Sequence, residues 1–91
     1  MNKHFEDTQY YLTRAGKHAK QGLAEELEPV ETKFRELVGR EKEPEPSRLE
    51  EILNELRELE QRAEGEAKAA ITDARGKLRA FLDERTEKKD A

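Results

Sequence analysis

Two groups of side chains in this sequence could do chemistry, and both are cationic. Arg14, Lys17, His18 and Lys20 follow Tyr10 and Tyr11 within a few helical turns, and Arg75, Lys77 and Arg79 come far down the chain. Guanidinium and ammonium groups near tyrosine rings are equipped to touch phosphates and stack a base. So few contacts would make nucleic-acid binding weak and sensitive to salt. These residues form a candidate anion or nucleic-acid contact.

Catalysis has less to work with. Cysteine is absent, which removes thiol nucleophiles, thiolate metal sites and disulfides. His4 and His18 stand fourteen positions apart, about 21 Å along a helix, too far to share a metal within one chain. Neither histidine follows a glutamate by three positions, so the Glu-x-x-His pattern of di-iron bundles is missing. The many glutamates read as a solvated, partly paired surface, with Glu58 set to attract Arg62 one turn on and Glu51 to repel Glu55. Neither catalytic residues, a cofactor nor a metal is expected, and the chain does not read as an enzyme.

The elements that position these groups read as helices throughout. From Ser47 to about Arg85, Leu49, Ile52, Leu53, Leu56, Leu59, Ala63, Ala67, Ala70, Ile71, Ala74, Leu78, Phe81 and Leu82 recur at steps of three and four, mostly in register. Ser47 with Glu50 has the spacing of a capping box and marks the expected start. A first stripe runs through Phe5, Tyr11 or Leu12, Ala15, Ala19, Leu23, Leu27, Val30, Phe34 and Leu37, with Val38 beside it. Pro29 lies inside it, so this helix is expected to kink or break there. Gly39 offers a stop. The intervening residues 40–46, with two prolines among glutamates, read as a loop.

The expected fold is all-α: one domain over residues 1–85, with helices at about 4–39 and 47–85, and a flexible tail at 86–91. A long antiparallel helical hairpin fits best, because residues whose numbers add to about 87 pair like with like. Phe34 then meets Leu53, and Phe5 meets Phe81 and Leu82. Small residues face one another where both stripes step four and four, a stutter shared at Ala15–Leu23 and Ala63–Ala67. Arms of about 36 residues would reach roughly 54 Å. A lone helix pair has a thin core, which favours self-association as a homodimer bundle. A three-helix bundle folded at Pro29 is the alternative, and breaks at both Pro29 and Gly65 would give three or four short helices.

Of the 91 residues 44% are charged and 33% apolar, with a net charge of −4. Residues 1–24 carry four bases against two acids, residues 25–66 seven against fifteen, and residues 67–91 seven against five. A hairpin would therefore be basic at its open end and acidic at its loop, an asymmetry able to orient a partner. No apolar run is long enough to span a bilayer and the start has no signal-peptide core, so a cytoplasmic protein without a membrane partner is expected. The function that remains is a protein-interaction or structural helical module, with nucleic-acid association by the basic open end as the alternative.

The segments HFEDTQYYLTRAGKHAKQGLAEELEPVE, EKEPEPSRLEE and ELEQRAEGEAKAAITDAR together resemble a family of small uncharacterised acidic helical proteins from halophilic archaea. The resemblance covers most of the chain and brings no catalytic or binding motif. It implies a salty cytoplasm in which an acidic surface aids solubility.

Overall fold

The structure, a computed structural model, describes residues 3–40 and 44–90, without the side chains of 85–90. Four helices follow one another: α1 (Lys3–His18), α2 (Gln21–Arg40), α3 (Pro46–Arg62) and α4 (Gly65–Asp90). The all-α expectation holds, but the two-helix hairpin does not, because each expected arm is folded back on itself. The breaks fall at Ala19–Lys20 and at Ala63–Glu64, both inside the shared stutter. Folding back gives every helix two neighbours, as α1 packs on α2, α2 on α3, α3 on α4 and α4 on α1. A single stripe per helix is then enough to close one common core. The result measures 43 × 22 × 20 Å with a radius of gyration of 12.7 Å, close to the roughly 12 Å of a compact domain this size.

Ion pairs and ring contacts give the register. Phe5 on α1 meets Phe34 on α2 edge-on at 5.8 Å and Phe81 on α4 at 4.5 Å. Lys33 pairs with Glu55 and Glu26 with Arg62 across α2 and α3, while His4 with Glu84 and His18 with Glu66 join α1 to α4. The sums of these numbers lie between 84 and 88, so the antiparallel register expected of a hairpin survives inside the folded-back bundle. One expectation about charge does not survive. Arg40 and Ser47 line one groove at the end where His4 meets Glu84 and Phe5 meets Phe34. The link between α2 and α3 thus lies at the same end as the start of α1, and no separate basic open end exists.

Local chemistry explains where the helices start and stop. Pro29 neither breaks α2 nor ends it. It sits on the exposed face with Glu25, whose carbonyl loses its helical donor but remains able to bond water. The capping box at Ser47 does not form. α3 begins one residue earlier, at Pro46, with Glu45 as an extended N-cap that makes no side-chain bond. Proline suits the first helical position, since its φ is preset and its missing N–H would be an orphan there anyway. The Glu45 carbonyl receives the N–H groups of Arg48 and Leu49 instead. At the second break Ala63 is extended, and Gly65 opens α4 at φ 62°. A left-handed backbone is open to glycine at no steric cost, so Gly65 does break the stripe as the alternative reading allowed. α4 stays helical to Asp90, into the stretch expected as a tail, and residues 41–43 of the expected loop lie outside the described residues together with Ala91.

The core draws on every helix and matches the predicted stripes. Phe5, Leu12, Leu27, Phe34, Leu49, Leu56, Ile71 and Leu78 are buried, and Tyr11, Ala19, Leu23, Leu37 and Val38 pack half-buried around them. Among the described residues Thr8 is the buried polar exception, and its hydroxyl donates to the His4 carbonyl at 2.7 Å. A further regularity joins the two halves. Buried positions recur 44 residues apart, pairing Phe5 with Leu49, Leu12 with Leu56, Ala15 with Leu59, Leu27 with Ile71, Val30 with Ala74 and Phe34 with Leu78. The α1–α2 and α3–α4 hairpins are therefore matched units. No helix among the described residues is long and apolar enough to cross a membrane.

Candidate functional site

Of the seven residues singled out in the sequence, five line two different grooves, three in one and two in the other. Arg14, Lys17 and His18 lie along the outer surface of α1, in a groove shared with Tyr10 and Thr13. Steps of three and four from Glu6 to Lys17 put this wall opposite the buried stripe of the same helix. Tyr10 is 57% exposed and meets the Tyr11 ring edge-on at 5.1 Å. Arg14 donates to the Tyr10 hydroxyl at 3.3 Å, and that bond raises the arginine pKa further above its usual value. The ring is thereby fixed against a cation while its face stays open to solvent.

Near the first bend, carboxylates meet His18 and Lys20. His18 Nδ1 lies 3.0 Å from Glu66, and Lys20 lies 4.0 Å from Glu64. Beside them Arg62 grips Glu26 with both terminal nitrogens, one at 2.8 Å. This bidentate bond holds the Glu26 carboxyl below the usual range and raises the Arg62 pKa, in each case chiefly through hydrogen bonding. Exposed pairs of this sort add little stability, but a planar two-point grip sets geometry. The link between α2 and α3 at this height is thus oriented as well as apolar.

Arg75 and Arg79 lie elsewhere, in the groove between α3 and α4. Arg75 reaches Glu60 at 3.1 Å, and Thr72 donates to the same carboxylate at 2.5 Å. Arg79 pairs with Asp83 one turn on at 3.4 Å. Lys77 is partly buried on α4. The fold therefore brings Arg14, Lys17 and His18 together, sets Lys20 at the bend below them, and holds Arg75 and Arg79 in a second groove. Four of the seven, His18, Lys20, Arg75 and Arg79, already face carboxylates, which lowers the charge they can offer to a phosphate chain.

Two features escape a reading of single stripes. Tyr10 follows Tyr11 directly, and only the helix phase decides which ring points outward. Arg57 stands in the same α3–α4 groove as Arg75 and Arg79, and the 44-residue spacing is the sequence signal that would have located it. Among the described residues no group of three or more His, Asp or Glu is placed to hold a metal ion. Neither a curated protein nor a solved structure matches this chain significantly. A family model does match, over residues 1–84, nearly the whole bundle, so the chain belongs to a family of unknown function (DUF7553).

Proposed function

We propose that this chain is a non-enzymatic interaction module, a self-contained four-helix bundle that meets an acidic protein partner on the outer surface of α1. One observation carries the reading: among the described residues Tyr10 is the large apolar side chain left exposed, and it lies in a groove with Arg14, Lys17 and His18. Tyrosine and arginine dominate the energetics of protein interfaces because each offers a large rigid contact area with polar reach. Cations around the ring favour an acidic segment. A photo-crosslinker placed at Gln9, in the same groove, should capture one protein in native extract, and Tyr10→Ala with Arg14→Ala should abolish that adduct. An adduct pattern unchanged by the double substitution would overturn the reading.

Nucleic-acid association has less support, because the seven residues are spread over the surface and four of them face carboxylates. Self-association also loses its original reason. The thin core of a lone hairpin called for a second copy, whereas here the stripes close on one another within one chain. The acidic balance and the halophile resemblance support a saline cytoplasmic setting. Light scattering in dilute buffer and in molar KCl is expected to give the mass of a single 10.6 kDa chain in both. A doubled mass would restore the homodimer, and aggregation in KCl would count against the saline setting.

A further inference from the structure

Comparing the matched hairpins isolates one place where their chemistry diverges. In the first, Thr13 on α1 donates to Glu31 on α2 at 2.8 Å, and Glu31 holds Arg35 one turn on at 3.4 Å. A hydroxyl, a carboxylate and a guanidinium close that seam. Positions 44 residues later hold Arg57, Arg75 and Arg79. Three guanidiniums stand where the first hairpin has one, and all three line the groove between α3 and α4 with Asn54 and Thr72.

Such an arrangement concentrates positive charge along one groove. Like charges one turn apart on a helix repel, as Arg75 and Arg79 do, and Arg57 adds a third from across the seam. Glu60 takes Arg75 and Asp83 takes Arg79, but neither carboxylate lines the groove. Glu50 is the acid on its wall. Among the described residues Arg57 makes no hydrogen bond or ion pair, and Arg75 Nε is buried without an acceptor. Gly76 stands where α2 has Thr32, and a Cβ built there would meet nothing within 4 Å, so the wall is open at this level. A tetrahedral oxyanion in the groove would meet this positive charge, and arginine forks match its oxygens two at a time.

We propose that the α3–α4 groove binds a phosphate group, free or as the phosphomonoester of a small molecule, through Arg57 and Arg79 with the Asn54 amide donating. Arg75, anchored by Glu60, supports them from the side. The site is separate from the α1 surface and stands whether or not that surface engages a protein.

Amide NMR of the full chain tests this, with inorganic phosphate and glycerol 2-phosphate titrated separately at ionic strength held constant with KCl. Saturable shifts are expected at Asn54, Thr72 and Gly76. Arg57→Gln should weaken the apparent affinity roughly tenfold or more, the worth of a hydrogen bond to a charged group. Lys68→Gln, which removes an exposed charge from α4 outside the groove, should leave it unchanged. Arg57→Lys keeps the charge without the fork and should fall between. Tighter binding of the ester identifies a small phosphorylated molecule, and equal binding identifies the free anion. The proposal fails if neither probe gives saturable shifts, or if Arg57→Gln and Lys68→Gln weaken binding equally.

Discussion

Truncating Phe5 to alanine is expected to remove about 3–5 kcal/mol of stability, the usual cost of deleting a buried phenyl ring and leaving its cavity. Phe5 sits in the first turns of α1, where a helix end would ordinarily fray. Its ring instead touches Phe34 on α2 edge-on and Phe81 on α4, with 2% of the residue exposed. One side chain therefore ties three helices together at the end of the bundle where the α2–α3 link also lies. Each aromatic pair adds about 0.5–1.5 kcal/mol beyond simple burial, which places the expected loss toward the upper part of the range. Domains have only about 5–15 kcal/mol in total, so the variant should be close to half unfolded under mild stress. Urea unfolding followed by circular dichroism would measure it, and the thermal midpoint should fall by more than about 12 °C, at about 4–8 °C per kcal/mol for a domain this small. A loss under about 1 kcal/mol would mean that the ring is not enclosed, since surface substitutions stay within that bound.

Enlarging Ala15 to leucine is the second large effect, expected to cost about 1–3 kcal/mol through overpacking. The helices α1 and α4 make the most extensive contact in the bundle. Their shared wall is built from Ala15, Ala67, Ala70 and Ala74, all buried. At the matched positions of the other hairpins stand larger residues, Leu59 for Ala15, Leu23 for Ala67 and Val30 for Ala74. Helix spacing follows the side chains at the contact, so small residues bring α1 and α4 close while leucines hold α2 and α3 apart. A leucine at position 15 has no room unless α1 and α4 separate, and separation uncovers the rest of the seam. Ala69→Leu, on the exposed face of α4, should stay within about 0.5 kcal/mol and serves as the control. Equal unfolding midpoints for the two variants would show that α1 and α4 do not pack closely.

Much of this architecture was readable from particular residues. The stripe from Leu49 to Leu82 and that from Phe5 to Leu37 both predicted which side chains are buried, because helical periodicity depends only on backbone geometry. The pairing of Phe5 with Phe81 was also legible, since large residues must face large residues at equal heights. Helix boundaries were less so. Ser47 and Glu50 had the spacing of a capping box, but Pro46 starts the helix one residue earlier and moves Ser47 inside it. Pro29 allowed either a kink or a break, and the helix runs through it unbroken, because a proline on a solvent face costs one hydrogen bond that water replaces in part. For the candidate site, seven residues were legible as possible anion contacts, but not the carboxylates that four of them meet.

Sequence alone determined that this chain is helical, which face of each helix is apolar, and in what register the two halves run antiparallel. Those properties are local or follow from matching residue sizes. Tertiary structure decided that the two long stripes fold back into four helices, and so which groups share a groove. A continuous helix and one bent at Ala19 or at Ala63 carry the same apolar period. The choice depends on whether each stripe finds one neighbour or two, and burial on both sides outweighs the helical hydrogen bonds given up at two turns. The grouping of Arg57 with Arg75 and Arg79 has the same origin: they converge only because α4 turns back at Gly65 to lie along α3.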